Sequence, residues 1–299
     1  MLFLRAGFSQ TGTETVMRLE DTLVKMMKET RAETNRQAQK KLNDKFENML
    51  RRTLRYDEAF TFNFDKLSKM MSTEKSPDGA FRIFNWNLEI GAYQEQKFYC
   101  LIMKKNTKTN DFEIIELVDK SSSAPYKIEY AQLNEKKWYG ALYFKIVPIE
   151  KPFGGTIYTM LGWDGNNMVS NKKLIETMQF NKSDGVKFGF PIFKDEDDKT
   201  KRRIIFEYSK ESSMTIRLHE GKKNKKKKRR RKSKSIRLVF DHLTPANPAV
   251  DLAATYVADG TYDAFELQGN KWVYVIDVDA RTGKKFKTRY NAPKPVNGP

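Results

Sequence analysis

The segment MTIRLHEGKKNKKKKRRRKSKSIRLVF, residues 214–240, contains two short alternating stretches on either side of a strongly basic run. Apolar side chains occupy every second position from Met214 in the first stretch and from Ile236 in the second. Alternation of this kind is typical of a strand with one buried face. Because the two strands are close in sequence, they predict an antiparallel hairpin formed by residues 214–220 and 235–240.

The connection between these strands is very basic, since 11 of the 13 residues from 222 to 234 are lysine or arginine. Adjacent like charges repel one another, so the sequence predicts an extended, disordered tip at residues 221–235. A long surface loop costs little stability, because the entropy of loop closure grows slowly with loop length. The central residues predicted to contact a polyanion are Lys225, Lys226, Lys227, Lys228, Arg229, Arg230 and Arg231.

The charge of this tip predicts contact with a polyanion, which would be nucleic acid, an acidic polysaccharide or an anionic membrane surface. The same residues also fit a nuclear-localisation signal, or a solvated insertion with no specific partner. None of them is aromatic, so nothing in the run can stack on bases as single-strand binders require. Nonspecific electrostatic attachment is therefore favoured over sequence-specific recognition.

Length and composition bound the rest of the chain. The 299 residues are enough for one large domain or two modest ones. The net charge is +18, but it would be +7 without the eleven charges of the tip, so the basic character is concentrated in one loop. The single cysteine, Cys100, lies in an apolar run and is predicted to be a buried thiol. The sequence contains no stretch of 18 apolar residues, so no transmembrane helix is predicted.

The N-terminal part is predicted to be helical. Residues 1–10 combine a short apolar start with the pattern Gly-Phe-Ser at positions 7–9, which predicts a signal-peptide remnant; the alternative is an ordinary cytosolic N terminus. Residues 11–58 carry apolar side chains at three- and four-residue spacing, which indicates helix. A polar middle, residues 28–41, leaves open two helices or one long one. This segment would pack on the main domain or mediate a protein contact.

Residues 59–280 predict a β-rich domain, since short alternating segments are separated by turns that contain Gly, Asn or Asp. The fold class is therefore mainly β, as an antiparallel meander with a sandwich or propeller-like arrangement, preceded by an N-terminal α-helical segment. Besides the hairpin, the predicted strands span residues 59–67, 80–88, 97–104, 112–118, 137–147, 155–162, 174–180, 187–193, 203–208, 263–268 and 271–277. The first of them, residues 59–67, is predicted as one strand or as an extended edge. The last residues, 281–299, resemble a loose tail.

Candidates for acid–base chemistry are few, because the chain has only two histidines. It has no P-loop, dinucleotide fingerprint, nucleophile elbow or zinc-protease helix, and no cofactor or metal site is predicted. Asp241 and His242 follow the second hairpin strand, where a carboxylate from elsewhere could orient the imidazole. Asp263 lies in one of the last two predicted strands, and Asp277 and Asp279 lie at the end of the other, so that two of these carboxylates could act as a hydrolase pair. The alternatives are a histidine bonded to backbone and an acidic rim facing nearby basic residues.

Seven phrases resemble an uncharacterised family of exported bacterial β-rich proteins. They are SPDGAFRIFNW (76–86), WYGALY (138–143), YTMLGWDGN (158–166), KFGFPIF (187–193), IFEYS (205–209), VFDHL (239–243) and KWVYVIDVD (271–279). The resemblance implies export to the periplasm or the cell surface, and it implies no catalytic residue. In such relatives the turn after the first hairpin strand looks short, so the basic tip would be a departure from the family pattern.

These features together predict a non-catalytic exported binding or envelope-associated protein. One alternative is a hydrolase that acts on an extracellular polymer through Asp or Glu residues near the C-terminal strands. The other is polyanion or nucleic-acid binding through the Lys/Arg-rich tip.

Overall fold

A computed structural model describes residues 4–91, 95–106, 109, 111–151, 155–181, 185–221 and 235–278. The fold is mainly β with two N-terminal helices, which confirms the predicted class. The described chain divides into two compact units. The N-terminal unit contains residues 4–121 and Glu135–Ile146, and the C-terminal unit contains Ser122–Asn134 and residues 147–278. The β-rich region that the sequence predicts as one domain is thus shared between two units.

The helical segment forms two helices, α1 (Leu4–Ala32) and α2 (Arg36–Thr53). Asn35 separates them as the N-cap of α2, because its side-chain oxygen accepts the N–H groups of residues 37 and 38 at 3.0 Å. Of the two predicted arrangements, two helices is therefore correct. None of the described helices is both long and apolar enough to cross a membrane.

The predicted strand at residues 59–67 is wrong. The chain forms a 3-10 helix at Asp57–Phe60 and a second one at Leu67–Lys69. Between them Phe64 adopts a left-handed backbone with φ of 52°, which is unusual for a bulky residue. Side-chain donors from Arg82, rather than a neighbouring strand, bind carbonyl oxygens of this segment, those of Ala59, Phe62 and Asn63.

The described residues form fifteen strands. In chain order they are β1 (Phe81–Ile90), β2 (Glu95–Lys105), β3 (Phe112–Val118), β4 (Leu133–Asn134), β5 (Leu142–Glu150), β6 (Thr156–Asp164), β7 (Ser170–Phe180), β8 (Val186–Phe188), β9 (Phe193–Lys194), β10 (Thr200–Lys201), β11 (Arg203–Ser209), β12 (Ile216–Glu220), β13 (Ile236–Pro245), β14 (Tyr256–Gln268) and β15 (Lys271–Val275).

In the N-terminal unit, β1, β2 and β3 form an antiparallel sheet in that order. The helices pack on this sheet through a continuous apolar cluster that includes Phe46 and Trp86, whose rings meet edge to face at 5.2 Å. The indole N–H of Trp86 donates to the buried side chain of Asn43 at 2.8 Å, so the polar atom of the largest core residue is satisfied. Cys100 is 1 % exposed, as predicted, and burial raises the pKa of its thiol.

The C-terminal unit contains two larger sheets, except for the first part of β5, residues 142–146, which belongs to the N-terminal unit. One has the order β4-β8-β7-β6-β5, with β11 paired to β7, and the other has the order β10-β9-β15-β14-β13-β12. The sheets face each other, since the rings of Phe206 and Phe240 lie 4.7 Å apart and the indole N–H of Trp272 donates to Thr159 at 2.9 Å. This packing corresponds to the sandwich alternative.

The predicted hairpin is confirmed as the antiparallel pair β12 with β13, and the strands predicted at residues 263–268 and 271–277 form a second antiparallel pair, β14 with β15. The predicted strand at residues 187–193 is wrong as a single element, because it separates into β8 and β9, which belong to different sheets. Gly189 lies at the break with φ of 81°, a left-handed conformation that ends the strand and that glycine adopts readily.

Candidate functional site

His242 lies where the register between β13 and β14 is irregular. The shift falls between Asp241 and Leu243 and leaves His242 without a regular cross-strand partner. Irregularities of this kind re-aim a side chain away from the regular pleat. Here the imidazole is directed to Asp259 of β14, whose Oδ2 lies 2.7 Å from Nδ1. The side chain of His242 is 42 % exposed, so the pair lies at the protein surface.

Asp259 is itself held by its surroundings. Its Oδ1 accepts both the backbone N–H and the hydroxyl of Thr261 at 2.8 Å. The N–H of Thr261, aided by its hydroxyl and by His242, lowers the pKa of Asp259 to about 2. A carboxylate therefore orients His242 as acid–base chemistry would require. The sequence does not single out Asp259, because it precedes Gly260 and an Asp-Gly pair is a common turn signal.

Asp263 has a structural environment that differs from that of His242. It is 2 % exposed, and its carboxylate accepts the hydroxyl of Tyr274 at 2.5 Å and the N–H of Asp277 at 3.0 Å. Burial, followed by the bond to Asp263, raises the pKa of Tyr274. Asp277 is exposed and has a left-handed backbone with φ of 51°. The carboxylate of Asp263 therefore joins β14 to β15 and to the residues that follow β15. Asp279 lies outside the described residues.

Asp241 anchors the start of β12. Its Oδ2 accepts the N–H of Thr215 at 2.6 Å, and its own N–H donates to the carbonyl oxygen of Thr215 at 3.2 Å. In the register of β13 and β14, Asp241 lies opposite Tyr262 and Asp263 lies opposite Phe240. Adjacent positions of a strand face opposite sides of the sheet, so the two carboxylates point away from each other.

The structure therefore does not bring the predicted acid–base residues into one site. His242 is paired with Asp259, Asp263 with Tyr274, and Asp241 with backbone. Among the residues that the structure describes, no group of three or more His, Cys, Asp or Glu side chains is placed to hold a metal ion.

Two surface clefts lie in the N-terminal unit, with volumes of about 320 and 440 Å³. They share the residues Thr61, Phe62 and Asn63, which form a wall between them. The larger cleft is lined mainly by polar side chains, including Glu20 and Lys66. Glu20 is committed to structure, because its Oε1 accepts the N–H groups of residues 66 and 67 at 2.8 and 2.9 Å.

The side chain of Arg82 holds this shared wall in place through hydrogen bonds to its backbone. It is 4 % exposed, and its guanidinium lies about 5 Å from the rings of Phe64 and Phe84. It donates to the carbonyl oxygens of Ala59, Phe60, Phe62, Asn63 and Thr73. Arg82 therefore has a positioning role in the wall. Sequence reasoning missed it, although alternation in β1 places it on the same face as Phe84 and Trp86.

The basic run starts and ends at the tip of hairpin β12–β13. The N–H of Gly221 donates to the carbonyl oxygen of Ser235 at 2.7 Å, so the last described residues on each side are joined directly. β12 is the last strand in its sheet order. The run itself, residues 222–234, lies outside the described residues, and so do the seven predicted polyanion contacts within it.

The two faces of this hairpin differ in chemistry. Ile216 and Phe240 lie opposite each other and are buried in the sandwich, whereas Arg217 and His219 alternate with them. Arg237 lies opposite His219 in the register and is paired with Glu266 on β14 at 2.7 Å. We call the surface formed by Arg217, His219 and Arg237 the basic face.

The environment of the basic face changes the pKa of His219. Partial burial, followed by the charges of Arg217 and Arg237, lowers the pKa of His219 below its usual value. The sequence contained the signal for this face, because the alternation that predicts β12 and β13 also places these three side chains on one side of the hairpin.

Comparison with protein-family models, with curated proteins and with solved structures found no match to this chain. The resemblance to an exported family therefore stays a prediction.

Proposed function

We propose that this chain is a non-catalytic binding protein whose ligand is a linear polyanion. The polyanion is duplex nucleic acid, and the tip of hairpin β12–β13 binds it. One observation carries the proposal. Eleven cationic residues are inserted between two strand ends that a single hydrogen bond joins, from Gly221 to Ser235. Both ends of the run are thereby fixed to a folded sheet at its terminal strand.

Charge density favours a duplex as the ligand. Double-stranded DNA carries about one negative charge for each 1.7 Å of its axis, and cations that contact it release condensed counterions. A run with 11 cations in 13 residues suits such a closely charged polymer. It contains no aromatic residue for base stacking and no apolar residue for insertion into a membrane. Contact with the phosphate backbone is the chemistry that these side chains can offer.

The geometry of the acid–base candidates supports binding over hydrolysis. The carboxylates of Asp241 and Asp263 are occupied by backbone and tyrosine donors and face opposite sides of the sheet. A hydrolase that uses two carboxylates requires both of them on the same substrate.

Salt dependence of binding tests the proposal. We expect the logarithm of the association constant for a DNA duplex to fall linearly with the logarithm of salt concentration. If six or more cations engage, the slope is about −5 or steeper, with an upper limit of about −10 for all eleven. Fluorescence anisotropy with a labelled duplex, at about 50 to 200 mM salt, measures this slope.

Two variants separate charge from loop length. Deletion of residues 222–234 joins Gly221 to Ser235, and a Gly-Ser pair is suited to a two-residue hairpin loop. A second variant keeps the length and replaces all eleven cations with Gln. Both should lose most of the affinity and the salt slope. Duplex binding by either variant at wild-type affinity would contradict the proposal.

Export is a separate proposal, supported by the Gly-Phe-Ser pattern at positions 7–9 and by the family resemblance. An exported protein would meet acidic polysaccharides as well as nucleic acid. Sequencing the N terminus of the protein isolated from its cells tests export, and a start at Met1 in a cytoplasmic fraction would contradict it. Heparin, in parallel anisotropy competition, distinguishes a sulfated polysaccharide from the duplex as the preferred ligand.

A further inference from the structure

The basic face lies on the same hairpin as the tip, on the side opposite the sandwich interior. Arg217 is exposed, His219 is partly exposed, and both belong to the terminal strand β12. Successive side chains on one face of a strand lie about 7 Å apart, so the two residues continue the cationic surface from the tip along the strand.

We infer that the polyanion contact extends from the tip onto the basic face, where Arg217 and His219 bind anionic groups of the ligand and His219 takes up a proton as it does so. This inference rests on the proposed function. It names two residues of the described structure, in addition to the run, as ligand contacts.

The charges around His219 explain why proton uptake accompanies binding. On β12 it shares its face with Arg217, and across the hairpin it lies opposite Arg237, whose charge is partly offset by Glu266 of β14. These arginines disfavour a third positive charge, and they are among the causes that lower the pKa of His219. A bound polyanion cancels that repulsion, so protonation becomes favourable in the complex. By linkage, the affinity must then rise as the pH falls.

The two arginines have different roles in this arrangement. Arg237 donates to Glu266 through Nε at 2.8 Å and through Nη2 at 2.7 Å, so its donors are already engaged by a carboxylate. Arg217 lies on the terminal strand and is exposed. Arg217 is therefore the direct contact, and Arg237 becomes one only if Glu266 is neutralised.

The test uses the full chain and the labelled duplex at about 100 mM salt, between about pH 7.5 and 5.5, where histidines titrate. Loss of one phosphate contact lowers the affinity by up to about eightfold at this salt concentration. We expect Arg217→Gln to show this loss, and Glu266→Gln to increase the affinity by releasing Arg237. The affinity of the wild-type chain should rise towards pH 5.5, and His219→Gln should remove this rise.

His242 provides the matched control, because it is the only other histidine in the chain. His242→Gln should keep the pH dependence of the wild type. The inference is overturned if His219→Gln retains that dependence, or if Arg217→Gln binds as tightly as wild type. These results leave the proposed function intact when deletion of residues 222–234 still abolishes binding. If the deletion has no effect, the proposed function fails independently of either residue.

Discussion

The ion pair between Glu176 and Arg203 is buried completely, so it allows a sharp test of how the C-terminal unit is stabilised. Both side chains are 0 % exposed, and Nε of Arg203 donates to Oε1 of Glu176 at 2.7 Å. The guanidinium also donates to the carbonyl oxygens of Ile128 and Ala131, the latter at 2.9 Å. One cation thereby joins β7, β11 and the segment that precedes β4.

The perturbation we propose is Glu176→Gln, which keeps the shape of the side chain and removes its charge. Breaking a buried pair from one side costs about 3–5 kcal/mol, because the remaining ion stays desolvated without its partner. Glutamine still accepts one hydrogen bond from Arg203, so we expect a loss of about 3 kcal/mol in the free energy of unfolding. Replacing both residues with Met should cost less than the sum of the single changes, since no buried charge is left.

Urea denaturation, followed by circular dichroism and by tryptophan fluorescence, measures these differences. The exposed pair of Asp197 and Lys199 at 2.7 Å provides a control, and Asp197→Asn should cause no measurable change. The reasoning would be refuted if the free energy of unfolding of Glu176→Gln lay within about 1 kcal/mol of that of wild type. An uncompensated buried charge should destabilise the fold by more than this.

Two further substitutions test one buried and one partly buried cation. Arg82→Met removes donors from five backbone carbonyl oxygens and should lower the free energy of unfolding by about 3–5 kcal/mol, measured by urea denaturation. Lys173 lies between Trp163 and Phe206 in the strand register, and burial lowers its pKa from 10.5 to about 8. The folded chain then binds this proton more weakly than the unfolded chain, so stability should rise as the pH increases from about 8 to 10.5. Lys173→Met should flatten that part of the profile in thermal melts, and an unchanged profile would contradict this account.

Local alternation was sufficient to predict most of the β structure. The hairpin β12–β13 could be located from its period-two pattern alone, because one of its faces lies in an apolar core. The segment 59–67 has the same pattern but a different structure, since Arg82, distant in sequence, binds its carbonyl oxygens. A local pattern cannot reveal a partner supplied by another part of the chain.

The candidate site shows the same division between local and distant information. The basic run is visible in the sequence, and its position between two strands followed from their alternation. The partner of His242 was not predictable, because it depends on an irregular register, at which the imidazole contacts Asp259. Strand prediction fixes which residues alternate, but it does not fix where an extra residue shifts the pairing.

Because side chains alternate along β12 and β13, effects of substitutions on binding can be distinguished from their effects on stability. Leu238 and Phe240 fill the sandwich, whereas Arg217 and His219 lie on the opposite face of the same hairpin. Surface substitutions away from buried contacts usually change stability by about 0.5 kcal/mol or less. Arg217→Gln and His219→Gln should therefore alter binding without altering the unfolding curve. A chain in which binding and stability fell together would show that the basic face supports the fold rather than a ligand.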